Sequence, residues 1–451
     1  MNPLNSELLE TADGIGCRLG RQAIWHQDRC NWLGAQSIER QPGGSYQGVT
    51  YEALGPDLYS GTAGVALFLA ELYSETGAQQ TRRTALGAIR HALSRLDTVT
   101  AFARLGLFSG WIGVAVAAVR VGMLVDEPVL LQQARDLLQR AAAESYDPSE
   151  FDLMAGRAGA ITGLVVLSQI LDDSFLPDFA VRLGDELLET ATKTGEGYSW
   201  KTRGLRNRHN LTGFSHGAAG AGSAFLELFH TTEDARYRHA ASLAHGYERH
   251  WFVPECGNWP DFREDPASPS RRRGPRKFSI FWCHGAPGIA LSRLRAYEIL
   301  GDRACKDEAI AALKTTRATL RAALDSWTGN FSLCHGLAGN AEVLRCAADI
   351  LNSESAEDAE LASQVARYGM ERYAARNQPW PCGNHSAETP NLMLGLAGSG
   401  HFYLRLHRPS TPSILILRKE AWNRERNGAT SWRRACSFQS PKDTDDRPVP
   451  Y

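Results

Sequence analysis

Two short segments, WCHGAPG at 282–288 and LCHGLAGN at 333–340, each set a cysteine and a histidine directly before a pair of glycines spaced three apart. A third histidine, His216, stands in the same place in FSHGAAG. Thiolate and imidazole are the ligands zinc prefers, and two thiolates with one imidazole leave a fourth tetrahedral position open, as catalytic sites do. Two thiolates neutralise a divalent cation. A third, brought by a substrate, leaves the set net negative and its sulfur electron-rich. A free cysteine has a pKa of roughly 8.5, whereas a thiol on zinc is deprotonated outright. These residue types therefore suit the activation of a thiol.

Placing them in one site requires a repeat. The frame Gly-x-x-Gly followed by a small, apolar helical run occurs seven times, with first glycines at Gly61, Gly110, Gly156, Gly217, Gly285, Gly336 and Gly395. Successive copies are 46 to 68 residues apart, a period that signals a repeat architecture. Between the frames lie stretches such as VLLQQARDLLQRAAAE (129–144), whose apolar residues recur at helical spacing with charges opposite. Each repeat reads as a polar-faced outer helix, a loop and a buried inner helix, with residues 5–25 as the first outer helix. The inner runs are apolar nearly all round and rich in small residues, which favours an all-α fold closed into an α/α toroid of seven helical hairpins over an open solenoid. Strand signals are few; GYSWKT (197–202) is the best, in a connection.

Equivalent positions of a closed ring point to one end of its axis. The two residues before each first glycine are Tyr59-Ser60, Phe108-Ser109, Met154-Ala155, Ser215-His216, Cys283-His284, Cys334-His335 and Met393-Leu394. Up to five metal-capable or acid–base groups thus converge on one opening. The other cysteines (Cys17, Cys30, Cys256, Cys305, Cys346, Cys382, Cys436) and His91, His230, His239 and His245 are read as small hydrophobes or satisfied polar residues.

Composition narrows the classes. The chain has 451 residues, 43% hydrophobic and 22% charged, with a formal net charge of −1. Nothing in that balance attracts nucleic acid or an anionic membrane. The N-terminus lacks the basic and apolar regions of a signal peptide, and no apolar run is long enough for a transmembrane helix. Nine cysteines, an odd number scattered along a long chain, do not form a secreted disulfide framework. The expected location is the cytoplasm.

The segments LTGFSHGAAG, WCHGAPGIALSRL, LCHGLAGNAEVL and LMLGLAGSGHFYLRL, the last followed by PSILIL, closely resemble the lanthionine synthetase C-like (LanC-like) cyclases over about residues 50–417, nearest to the cyclase domain of class II synthetases. The resemblance implies a toroid holding one zinc ion. It implies closure of thioether rings by addition of a cysteine thiol to a dehydroalanine or dehydrobutyrine of a precursor peptide. Carried over, Cys283, Cys334 and His335 are the metal ligands, His216 the acid–base histidine and Asp152 the aspartate near it; His284 lines the site or supports a ligand from behind. A subset of the family has Arg four residues before the first zinc cysteine, where this chain has Ser279.

Asp152 also suits a helix cap. The stretch 262–278, FREDPASPSRRRGPRKF, reads as a solvated loop, with contact to an acidic leader peptide as the sharper alternative. Residues 418–451 lack helical periodicity and read as a flexible tail. Only about fifty residues precede the first frame, so a chain complete as given needs a separate dehydratase. Rival readings are a LanC-like protein that binds glutathione or another thiol without making rings, and a prenyltransferase-like zinc toroid, whose ligand set includes a carboxylate. Toroidal glycosidases use paired carboxylates, where this chain has Cys and His.

Overall fold

The computed structural model describes residues 3–37, 49–203, 205, 209–263, 276–326, 330–352, 356–382 and 388–423. The chain begins in helix α1 (Pro3–Gln22). Each glycine frame then opens an inner helix: α2 (Thr62–Thr76), α4 (Trp111–Val125), α6 (Arg157–Leu171), α8 (Ala218–Thr232), α10 (Ala286–Leu300), α12 (Leu337–Leu351) and α14 (Leu396–His407). Amphipathic outer helices alternate with them: α3 (Gln79–Ser94), α5 (Pro128–Ala143), α7 (Phe175–Glu189), α9 (Ala235–Trp251), α11 (Arg303–Ser326) and α13 (Ala356–Gly369).

The frame has a steric cause. The first glycine is the N-cap in all seven inner helices. The second lies against the carbonyl of the residue six positions earlier, Gly113 on Leu107 and Gly339 on Leu333 for example, where a Cβ would overlap the backbone. The preceding loop therefore curls tightly over each helix start. At the other end, five inner helices stop on a left-handed residue, namely Gly77, Asp126, Asp172, Glu233 and Gly301. That conformation turns the chain back into the next outer helix.

The ring closes through the chain ends. Every inner helix packs on the next, and α14 packs on α2. Because α2 through α13 pair inner-then-outer, α1 is left to cover α14 rather than the first inner helix. His407 Nδ1 lies 2.8 Å from the Asn5 carbonyl oxygen, and Arg408 pairs with Glu75 of α2. The expected all-α toroid is present, with three short antiparallel hairpins added: β1 (Ile24–His26) with β2 (Arg29–Asn31), β3 (Leu33–Ser37) with β4 (Val49–Ala53), and β5 (Thr192–Thr194) with β6 (Gly197–Ser199). The second strand of the last hairpin, β6, begins the GYSWKT segment.

Adjacent inner helices are joined by buried ion pairs, with every partner ten residues after its first glycine except Glu342, which is six after Gly336. Arg120 of α4 binds Glu71 of α2, with Nε–Oε1 at 2.6 Å, and Arg295 of α10 binds Glu227 of α8 at the same distance. Arg405 of α14 binds Glu342 of α12 at 2.8 Å.

Residues 414–417, all buried, then cross the axis. Leu415, Ile416 and Leu417 share a small cavity with Leu107, Phe108, Leu153 and Phe214, and the Leu415 carbonyl accepts from Trp282 Nε1 at 3.0 Å. The expected tail does not begin at 418: helix α15 (Lys419–Asn423) docks with Trp422 buried and Glu420 paired to Arg295. Two indoles and an ion pair outweigh the lack of helical periodicity there. Residues 424–451, and most of the basic stretch 262–278, lie outside the described residues.

Candidate metal centre and active site

The loops before the inner helices are tied to one another around the axis. Tyr59 N–H donates to the Phe108 carbonyl (2.8 Å), Phe108 to Met154 (3.1 Å), Leu153 to Ser215 (3.0 Å) and Ser215 to Cys283 (3.2 Å). Cys334 donates to Met393 and Met393 to Tyr59, both at 2.9 Å. Register-equivalent residues thus meet at one rim, where seven helix N-termini present partial positive charge. Among the described residues no such backbone bond joins the Cys283 and Cys334 loops. At that seam the two side chains meet instead.

One donor atom from each of Cys283, Cys334 and His335 lies within 4.8 Å of the others. Tetrahedral zinc, with bonds of roughly 2.3 Å to sulfur and 2.0 Å to nitrogen, holds such atoms roughly 3.5–3.8 Å apart, so small rotations bring this set onto an ion. Both cysteines are buried and the set contains no carboxylate. With protein groups alone, the pair is unequal. Cys283 is held well down by accepting a hydrogen bond from Cys334 and another from His335, against burial. Cys334 is pushed up by burial and by its charged neighbour. A divalent cation removes that conflict by deprotonating both.

Local order fixes the ligands. Asn330 Oδ1 accepts from Ser332 N–H and Oγ, and Ser332 Oγ accepts from His335 N–H at 3.2 Å. Gly285 has φ of 91°, unlike the other six first glycines, and a Cβ there would strike the Ser279 carbonyl. This tight turn, bridged from Ile280 to Gly285, delivers Cys283. Asn340 of α12 donates to the Ile280 carbonyl at 3.1 Å and so couples the two cysteine loops.

His216 Nδ1 lies 2.6 Å from Asp152 Oδ2. The other carboxylate oxygen accepts from Met154 and Ala155 N–H at 3.0 and 2.8 Å. Asp152 is thus not the helix cap the sequence also allowed, since the N-cap of α6 is Gly156; one of its oxygens organises the loop before that helix and the other holds the histidine. Burial pulls the His216 imidazolium down, but the Asp152 charge and hydrogen bond more than offset this, so its pKa is raised. The ring is about one-third exposed, 34%, and reaches the opening. His284 is not among the three converging donors. It stacks on His216 with centroids 5.5 Å apart, and burial lowers its pKa to about 4, keeping it neutral.

Two groups escape the motif reading. Tyr59, in the first frame, donates a hydrogen bond to Cys334; its register position was the signal. Arg263 and Asp261, paired through Nε–Oδ1 at 2.9 Å, come from a connection with no frame; Arg263 is close enough to act electrostatically on both cysteines and both rim histidines, and Asp261 on His284.

Fold and site together define a closed α/α toroid with a cysteine–histidine group that could hold a metal and a carboxylate-held histidine at one rim. The lanthionine synthetase C-like protein family matches residues 52–416. This chain belongs to that family. Lacticin 481/lactococcin biosynthesis protein LcnDR2 of Lactococcus lactis subsp. lactis is 21% identical over 391 residues, 82% of this chain and 37% of that protein. The chain thus spans little more than a third of that relative's length. Among solved structures, nisin cyclase superposes with a TM-score of 0.59 at 18% identity, over 82% of this chain and 92% of its own. Among the described residues no helix is long and apolar enough to cross a membrane.

Proposed function

We propose that this chain is a zinc-dependent lanthipeptide cyclase, adding cysteine thiols of a precursor peptide to dehydroalanine or dehydrobutyrine residues of the same peptide. One observation carries the reading: in a chain of this family, Cys283, Cys334 and His335 converge at the same rim as the Asp152–His216 pair. Relatives named as a nisin cyclase and a lacticin 481 biosynthesis protein are in keeping with it.

Cys283, Cys334 and His335 would hold zinc, which would supply the Lewis acidity that favours the thiolate form of a peptide thiol. The two cysteine thiolates would balance the charge of the ion, so that the substrate sulfur would keep its nucleophilicity. Confinement at the rim turns an encounter into a positioned reaction. The sulfur–carbon bond forms at the β-carbon while the alkene pair moves towards the acyl oxygen as an enolate. His216, bonded through Nδ1 to Asp152, delivers the proton on Nε2 to the α-carbon. Thiol and alkene become thioether with no redox change. The acceptors are dehydrated serine and threonine, so a dehydratase must act first, and the natural substrate is a leader-bearing peptide with Ser, Thr and Cys in its core.

The test is incubation of the zinc-loaded chain with a dehydrated, cysteine-containing peptide, followed by thiol alkylation and mass spectrometry. Unchanged peptide mass with loss of one alkylatable thiol per ring, blocked by chelator, is expected. Full retention of free thiols defeats the reading; retention with tight thiol binding points instead to a thiol-binding member of the family.

A further inference from the structure

We infer that Arg263 and His284 form the acceptor subsite of this centre, a pocket for the acyl oxygen of the dehydro residue, with Asp261 and Ser279 as its positioning residues. The inference rests on the cyclase reading above and adds the group that carries the developing negative charge.

Ser279 stands four residues before Cys283, and its hydroxyl donates to Asp261 Oδ2 at 2.7 Å. Asp261 grips the Arg263 guanidinium through Nε at 2.9 Å and Nη2 at 2.5 Å. The same turn is pinned further. Asp261 N–H donates to the Lys277 carbonyl at 2.8 Å. Asn258 donates to the Ser279 carbonyl at 3.0 Å and accepts from Ala286 N–H, the first residue of α10, at 2.8 Å. The cation is thereby fixed to the structure that presents Cys283 and His284. Asp261 is the buried partner, with 7% of its side chain exposed, while Arg263 keeps 41%. A planar guanidinium held on one edge by a carboxylate keeps its remaining N–H groups for a second oxygen.

His284 supplies an independent observation. It is 2% exposed, and among the described residues neither ring nitrogen has a hydrogen-bond partner. A buried polar group left unpaired costs about 1–3 kcal/mol, a cost that a ligand oxygen removes. Its ring lies against His216, so an oxygen held by His284 sits beside the group that protonates the adjacent carbon. When the sulfur–carbon bond forms, charge leaves sulfur and collects on the acyl oxygen. A fixed cation and a buried, otherwise unpartnered imidazole in a partly closed site stabilise that charge without reorganising.

The experiment uses the zinc-loaded full chain and its Arg263→Gln, Arg263→Lys and His284→Phe variants. Zinc content, melting curve and kcat for cyclisation are measured, together with the Kd of the dehydrated peptide whose cysteines have been alkylated, which binds without reacting. Expected for Arg263→Gln are unchanged zinc and melting, kcat reduced about 10²–10³-fold and a Kd raised about fivefold or more, with Lys recovering part of kcat. His284→Phe lowers kcat about tenfold. Arg263→Gln with kcat and blocked-peptide Kd both within twofold of wild type overturns the subsite. If the wild type cyclises nothing, the cyclase reading falls, and the Kd comparison alone decides whether Arg263 holds the acceptor.

Discussion

Asp152 and His216, 64 positions apart in sequence, are joined by a 2.6 Å contact between Oδ2 and Nδ1. The carboxylate is itself immobilised by two backbone N–H groups, so the imidazole has one orientation, with Nε2 as its working atom. A raised pKa follows from the Asp152 charge outweighing burial. The acid form therefore persists to higher pH than in an ordinary histidine of pKa 6.5, and the stability this pair contributes is complete below that value and fades as pH rises through the folded one.

His216→Ala retains zinc and lowers cyclisation by about 10²–10⁴-fold, the range for loss of a general acid. Asp152→Asn lowers the His216 pKa, so the alkaline limb of the pH–kcat profile moves to lower pH. Metal analysis and initial rates across pH check both. An unmoved limb in Asp152→Asn dissociates the pair from catalysis.

On the proposed zinc site, removing the ion should loosen the seam between the Cys283 and Cys334 loops, among the described residues the one neighbouring pair of frames without a backbone bond. Chelation should lower the melting temperature reversibly; with free zinc at 1,000 times its Kd, binding contributes about 4 kcal/mol. Hydrogen exchange should quicken around 281–285 and 333–336 and remain slow around Phe108. Cys334→Ala and His335→Ala should copy the chelated state.

Gly113→Ala separates propensity from packing. Alanine is about 1 kcal/mol better than glycine inside a helix, yet its Cβ would overlap the Leu107 carbonyl. A net loss of about 2–4 kcal/mol in denaturant unfolding is expected, typical of overpacking. A stabilised variant would show that the loop can yield.

The Glu71–Arg120 pair, with side chains 3% and 0% exposed, predicts strong coupling. Glu71→Leu alone removes the carboxylate partner of a buried guanidinium and costs about 3–5 kcal/mol, whereas Glu71→Leu with Arg120→Met recovers most of the loss. A double-mutant cycle of urea midpoints measures it. Simple additivity would mean the two side chains do not act as a unit.

The seven frames were legible because their cause is local: each second glycine avoids its own loop six residues earlier, so the constraint recurs at a fixed offset whatever the rest of the chain does. Cys283, Cys334, His335 and His216 were legible for the same reason, since register in a ring converts sequence position into direction. Asp152 was found through family likeness, and only the folded chain shows its two oxygens in two employments. The three-dimensional structure alone decided that α1 covers α14, that residues 414–423 close the axis, and that Arg263 faces the cysteines. Those contacts join segments with no shared period, and hydrophobic burial and ion pairing act through space without leaving a mark on spacing. Sequence thus determined the ring and most of its chemical rim; tertiary structure determined what closes the ring and which cation looks into it.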